Sequence, residues 1–95
     1  MDKEQALREL KRMPNVGPAI AGCLIRLGVS RPGELVGRDP VEMYETLCAI
    51  DDRRLDPCVL DVFMAAVDFA GGAAARPWWA YTAKRKAMMR ARTVR

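Results

Sequence analysis

The sequence predicts an all-α fold, a compact bundle of five or six short helices. Apolar residues recur at spacings of three and four along most segments, which is the period of a helix with one buried face. Capping residues, and prolines suited to a first helical turn, divide the chain at short intervals. No segment alternates apolar and polar residues in the manner of a half-buried strand.

The first helix is predicted to begin at Asp2, which forms a capping box with Gln5. Its apolar stripe consists of Ala6, Leu7, Leu10 and Met13. We expect Pro14 to end this helix, because the residue before a proline avoids the helical conformation.

The second helix is predicted to begin at Pro18 and to end at Gly28, a residue suited to a left-handed cap. Ser30 and Pro32 then predict a short helical turn, which Gly37 closes. The first part of the chain therefore contains two predicted helices and one short turn.

Two later helices are predicted from a repeated start pattern, since Asp39 and Asp56 each precede a proline. The helix over 57–70 is apolar on nearly all sides, which predicts a central place in the domain. Gly71 ends it. A last helix is predicted to open at Pro77 and to run through the aromatic residues into the basic C-terminus.

Charge is distributed unevenly along the 95 residues, a length that suits one domain with a modest core. Residues 1–83 carry 10 Lys and Arg against 12 Asp and Glu, whereas residues 84–95 carry 6 Lys and Arg and no acid. We therefore divide the chain into a helical domain, 1–83, and a basic C-terminal tail, 84–95. Such a tail is typical of an arm that binds a polyanion. The alternative is a solvated end that raises solubility.

Few residue types suited to catalysis or metal binding are available. The chain has no His, and its 3 Cys (Cys23, Cys48 and Cys58) lack the paired spacing of a zinc site. We expect no catalysis, no metal, no cofactor and mostly buried, reduced thiols. A redox or metal role for Cys48 and Cys58 is the alternative. No signal peptide or membrane span is evident, so the expected location is the cytoplasm.

The stretch from Pro14 to Pro18 reverses the chain within a few residues. Gly17 is expected to supply backbone freedom there, Asn15 tolerates left-handed geometry, and Val16 is expected to point into the core. The turn would direct the start of the second helix outward, where unpaired N–H groups and the helix dipole favour a phosphate. The alternative is a connection that uses glycine only to turn.

The stretch from Pro14 to Ala21 resembles a helix-hairpin-helix motif, whose usual form is Pro-Gly-hydrophobic-Gly followed by a helix with a small residue at the Ala21 position. The resemblance implies that backbone amides of the hairpin bind DNA phosphates without reading sequence, and the bundle is expected to be SAM-domain-like. Asn15 departs from the motif because it replaces the first glycine. Strong DNA-binding hairpins often carry Lys or Arg, then Thr, where this chain has Pro18, Ala19 and Ile20.

A wider resemblance covers roughly residues 5–82. The segments LGVSRPGELVGRDPVEMYETLC, DPCVLDVFMAAVDFA and PWWAY are similar in order and spacing to the pathogenicity-locus family of small helix-hairpin-helix proteins, also described as mitomycin-resistance-like. In that family Cys48 and Cys58 fall on recurring cysteine positions, and Trp78 and Trp79 fall on a recurring tryptophan pair. The C-terminal domain of competence-regulator proteins is a less close likeness.

The aromatic residues Trp78, Trp79 and Tyr81 lead directly into the basic tail. In one interpretation a tryptophan locks the final helix onto the domain. In the other the aromatic rings are exposed beside cations and stack on the bases of single-stranded nucleic acid.

The sequence thus predicts a small non-catalytic protein that binds DNA weakly through its backbone phosphates, without sequence specificity. The candidate residues are Asn15, Val16, Gly17, Ala19 and Ile20 in the hairpin, Lys11 and Arg12 before it, and Lys84, Arg85 and Lys86 in the tail. The alternative is a protein-interaction module with a structural hairpin. In that case the tryptophans, with Met88 and Met89, dock a partner or a second copy.

Overall fold

Five α-helices and two 3₁₀ turns make up residues 2–93, which the computed structural model describes, and no strand occurs among them. The helices are α1 (Lys3–Leu10), α2 (Pro18–Arg26), α3 (Pro40–Asp51), α4 (Cys58–Ala70) and α5 (Thr82–Thr93). The 3₁₀ turns span Pro32–Leu35 and Trp78–Tyr81. Side chains are described for residues 2–91, so those of the tail residues Arg92 and Arg95 lie outside this set. The all-α prediction is confirmed.

The capping residues named from the sequence begin and end these helices. Asp2 accepts a hydrogen bond from the N–H of Gln5 at 2.8 Å, and Asp39 accepts one from the N–H of Val41 at 2.9 Å. Gly28 follows α2 with a φ of +88°, the left-handed cap that glycine adopts at no steric cost. Local chain chemistry therefore sets the starts of α1 and α3 and the end of α2, whereas α1 ends at Leu10, before the end predicted at Pro14.

Helix α4 lies at the centre of the bundle, as its nearly all-round apolar surface predicts. It packs against α3, α5 and both 3₁₀ turns, and every residue from 60 to 66 is buried. The core around it includes Leu10, Val16, Leu24, Val29, Leu35, Tyr44, Leu47 and Tyr81. A Cα radius of gyration of 12.9 Å is close to the value of about 12–13 Å expected for one domain of this length.

The last helix begins later than predicted. Pro77 is extended, with ψ of 150°, and the segment after it forms a 3₁₀ turn before α5 starts at Thr82. Met88 and Met89 of α5 pack against the core. The proposed boundary between residues 83 and 84 therefore falls inside a helix that is part of the domain.

Asp61 is a fully buried carboxylate in the middle of α4. Its Oδ2 accepts a hydrogen bond from the hydroxyl of Thr82 at 2.8 Å, and its Oδ1 accepts one from Nε of Arg85 at 2.9 Å. The hydrogen bond to Asp61 raises the pKa of Arg85 above its ordinary value. These bonds join α5 to α4, so Arg85, a predicted DNA-binding cation, is already paired inside the domain.

Candidate nucleic-acid interface

The turn that joins α1 to α2, residues 11–17, reverses at Asn15 and not at Gly17. Asn15 has a φ of +69°, in the left-handed region, whereas Gly17 has a φ of −93°, which any residue adopts. A Cβ added at Gly17 would meet no atom within 4 Å. The expectation that Gly17 supplies essential backbone freedom is therefore wrong, because the tight reversal is complete before the chain reaches it.

Val16 fixes this α1–α2 turn to the core. Its side chain is buried, as predicted, and its N–H donates to the carbonyl of Met13 at 3.3 Å. Only the main chain of Val16 can face a ligand. The turn is therefore held from inside while its outer side stays open to solvent.

Two backbone donors stand at the start of α2. Pro18 has no N–H, and the first N–H of the helix to find a partner is that of Ala21, which donates to the carbonyl of Gly17 at 2.9 Å. Gly17 has no side chain to cap the helix, so the N–H groups of Ala19 and Ile20 meet no acceptor within residues 2–93. Ala19 is exposed and Ile20 is half-buried. This is the positive end of the helix dipole, which favours an anion.

Cations lie at the same end of the α1–α2 pair. Lys11 and Arg12 are exposed, and with Arg8 and Glu9 they line an open depression of about 420 Å³. Nη1 of Arg12 lies 3.7 Å from Oε1 of Glu9, and because this ion pair is exposed it contributes little to stability. Three cations and one acid therefore leave this depression with a net positive charge.

The side chain of Asn15 is occupied by a second segment of the chain. Its Nδ2 donates to the carbonyl of Arg76 at 2.6 Å, and its Oδ1 accepts from the N–H of Trp78 at 3.2 Å. Both polar atoms of the amide are used, so this side chain positions the α1–α2 turn instead of reaching outward. The residue that departs from the hairpin motif thus ties the turn to the tryptophan pair.

The three aromatic residues after Pro77 have different environments. Trp78 is half-buried, whereas Trp79 is 64% exposed. This is the largest exposed fraction of any large hydrophobic residue in the part of the chain that the structure describes. Their ring centroids are 5.6 Å apart at an interplanar angle of 85°, an edge-to-face pair. Tyr81 is buried. Its burial raises the pKa of its hydroxyl, and a hydrogen bond with Asp68 raises this pKa further. Trp79 is therefore the ring available to a ligand, and Tyr81 belongs to the core.

The segments that form this arrangement lie within a stretch of sequence that is similar to known proteins. The family model Cdd1, described as pathogenicity locus, matches residues 3–87, from the start of α1 well into α5. The chain belongs to the pathogenicity-locus family. A relative described as mitomycin resistance protein McrB, from Streptomyces lavendulae, is 47% identical over 81 residues, covering 85% of this chain and 77% of the relative. No solved structure matches significantly.

The remaining candidate cations of this pathogenicity-locus protein lie on α5. Lys84 and Lys86 are exposed, whereas the Arg85 side chain between them is only 16% exposed and is paired with Asp61. Lys84 also lines a cleft of about 200 Å³ with Arg38 and Asp68 among others. Two of the three tail candidates can therefore meet a polyanion directly.

The cysteines of the family member are free and half-buried. Cys48 Sγ accepts a weak hydrogen bond from the N–H of Leu55 at 3.5 Å. Burial, and next the hydrogen bond with Asp56, raise the pKa of Cys58, which keeps this thiol protonated and slow to react. Within the described residues no three Cys, Asp or Glu side chains converge in a way that would hold a metal ion.

No helix in the described part of the chain is long and apolar enough to cross a membrane.

Proposed function

We propose that this family member is a small, non-catalytic DNA-binding protein that contacts the phosphate backbone without reading the base sequence. The observation that carries the proposal is the pair of unpartnered N–H groups, on Ala19 and Ile20, at the exposed start of α2. A phosphate oxygen accepts from such donors and is attracted by the positive end of the helix dipole. The resemblance of this segment to a helix-hairpin-helix motif leads to the same ligand.

Side-chain charge adds to this backbone site. Lys11 and Arg12 project at the same end of the α1–α2 pair, so they extend the positive surface along a phosphate chain. Lys84 and Lys86 provide further phosphate contacts from α5. Residues 1–83 carry two more acids than bases, so binding is weak, and because its contacts are electrostatic it weakens further as salt is added.

The sharpest test changes the charge beside the free amides without disturbing the fold. Ala19→Glu places a carboxylate in the first turn of α2, where an acid is compatible with the helix dipole but repels a phosphate. Ala19→Gln has the same length and no charge, so it is the matched control. Ala19 is exposed, and both variants are therefore expected to fold. Fluorescence anisotropy with a labelled DNA duplex, at low and at physiological salt, measures the affinity.

We expect Ala19→Glu to weaken binding about tenfold or more, because its carboxylate repels the phosphate, while Ala19→Gln stays within a few-fold of the original chain. Equal affinity for the two variants would mean that the start of α2 is not the phosphate site. Failure of the unaltered chain to bind at low salt would contradict DNA binding altogether.

A second function, a protein-interaction module, is favoured by the exposed apolar side chains. Trp79 is 64% exposed and Phe69 is 37% exposed, and both are large enough to anchor an interface. In this proposal the α1–α2 turn is only structural. Light scattering across a range of concentrations tests self-association. A dimer that persists in Ala19→Glu and dissociates in Trp79→Ala would support this function.

A further inference from the structure

Trp79 is presented to solvent by a neighbour that holds its ring in place. The Trp79 ring makes an edge-to-face contact with Trp78, at 5.6 Å between centroids, and 64% of the side chain remains exposed. Trp78 is in turn held through its backbone N–H, which donates to the side-chain oxygen of Asn15. A preorganised aromatic surface loses little conformational entropy when it stacks on a planar ligand.

The Asn15 bonds place this ring next to the α1–α2 turn. Asn15 contacts both Arg76 and Trp78 across more than sixty residues of sequence, so the segment that carries the tryptophan pair lies against the α1–α2 turn, which leads into α2. Arg76 is exposed in the same segment, and its side chain also hydrogen-bonds the buried Tyr81. The surface therefore combines backbone donors, a cation and a fixed aromatic ring.

We infer that this surface takes an unpaired nucleotide: a nucleic acid strand whose phosphate lies at the start of α2 and whose adjoining base stacks on Trp79. Every base has a face suited to an aromatic ring, so such stacking needs no sequence specificity. A base stacked inside a duplex has no free face for Trp79, whereas a base in an overhang does. The inference rests on the proposed function and adds to it a preference for DNA that carries a single-stranded segment.

Charge favours a nucleic acid over a protein partner at this surface. Exposed cations precede both parts of this surface in the chain. Lys11 and Arg12 come before the start of α2, and Arg76 comes before the tryptophan pair. Among the acids, Glu9 lies beside Arg12 in an exposed pair. A polyanion with regularly spaced planar bases complements both the cations and the ring.

The test compares two labelled DNA molecules that share one duplex, blunt in the first and extended by a short thymidine overhang in the second. The proteins are the unaltered chain, Trp79→Leu and Trp79→Phe. Leucine keeps an apolar side chain of moderate size but has no ring, and phenylalanine keeps a ring. Anisotropy at one low salt concentration gives each affinity, and tryptophan fluorescence reports contact with the base.

The unaltered chain should bind the overhang DNA about fivefold or more tighter than the blunt duplex, the effect of one stacked base. Trp79→Leu should lose this preference while it binds blunt duplex normally, and Trp79→Phe should keep part of it. Equal affinity of the unaltered chain for the two DNA molecules would overturn the inference and leave the proposed function standing. An equal loss of affinity for both DNA molecules in Trp79→Leu would overturn it too, because the effect of Trp79 would then not depend on an unpaired base. Absence of binding to either DNA would contradict the proposed function itself.

Discussion

The side-chain oxygen of Asn15 accepts a hydrogen bond from the backbone N–H of Trp78 at 3.2 Å, 63 positions further along the chain. The same side chain donates to the carbonyl of Arg76, so one amide holds both sides of Pro77. Asn15 also takes the left-handed conformation that makes the α1–α2 turn. One residue thus joins the first helix pair to the start of the last helical segment.

Replacement of Asn15 separates these two roles. Asn15→Gly keeps the left-handed conformation and removes two hydrogen bonds, worth about 1 kcal/mol each. Asn15→Ala removes the same bonds and adds a cost of about 1–2 kcal/mol for the left-handed backbone. Urea unfolding, followed by circular dichroism, should therefore rank the original chain above Asn15→Gly and Asn15→Gly above Asn15→Ala. Equal stability of all three proteins would show that the amide does not hold the 76–78 segment.

Loss of the Asp61 carboxylate should strongly destabilise the fold. Asp61→Ala leaves Arg85 without its buried partner, a change that costs about 3–5 kcal/mol in other proteins. Thr82→Ala removes only a hydroxyl bond and should cost about 1 kcal/mol. Urea unfolding measures both. The double change Asp61→Asn with Arg85→Met removes both charges and should recover much of the loss. Failure to recover any of it would show that the cost comes from packing and not from charge.

Gly17→Ala should leave the fold unchanged. The backbone of Gly17 is in an ordinary conformation and a Cβ there has open space, so the free energy of unfolding should stay within about 0.5 kcal/mol. Gly28→Ala is the contrasting variant, because Gly28 has a φ of +88° and alanine there is strained by about 1 kcal/mol or more. A large loss of stability in Gly17→Ala would contradict the conformation described for the α1–α2 turn.

The exposed lysines of α5 should set part of the salt dependence of DNA binding. Truncation before Lys84 would remove the Asp61–Arg85 pair and the packing of Met88, so charge-neutral substitutions are the better test. Lys84→Gln with Lys86→Gln should reduce the slope of log affinity against log salt by about 1 for each phosphate that a lysine no longer neutralises. An unchanged slope in anisotropy titrations would show that α5 does not contact the DNA.

Cys58 should react slowly with alkylating agents at neutral pH. Burial and the hydrogen bond with Asp56 raise its pKa, so the reactive thiolate forms only at a pH above the ordinary range of a thiol. Iodoacetamide labelling across pH, resolved by peptide mass spectrometry, measures the midpoint for each cysteine. In the unfolded chain the Cys58 thiol ionises at a lower pH than in the folded protein. Its contribution to the free energy of unfolding is therefore complete below the ordinary thiol pKa, and it is lost as the pH rises through the raised pKa of the folded protein. A Cys58 midpoint below the ordinary range would contradict this environment and favour a redox role.

Local chemistry made much of the fold predictable. Caps such as Asp2 and Asp39, and the terminating Gly28, act through bonds to residues only a few positions away, so the sequence displays both partners together. The apolar surface of α4 likewise shows in its own residues. Helix number, order and approximate bounds follow from such signals.

Long-range pairing was not predictable in the same way. Nothing near Asp61 in sequence shows that Thr82 donates a hydrogen bond to it and that Arg85 pairs with its charge, although a lone acid within the most apolar part of α4 is itself a sign of a buried partner. The bond between Asn15 and Trp78 is equally distant. The N–H groups of Ala19 and Ile20 have no acceptor within residues 2–93, as a helix start without a side-chain cap predicts, whereas Arg85 is paired inside the domain.

An NMR titration can show, residue by residue, whether the first turn of α2 holds a phosphate. Proton–nitrogen correlation spectra of the isotope-labelled chain are recorded while short DNA is added at low salt. We expect the amide signals of Ala19 and Ile20 to move most, together with those of the α1–α2 turn, and to move far less in Ala19→Glu. Shifts confined to α5, with those two amides unmoved, would contradict the claim and make the start of α2 a purely structural helix end.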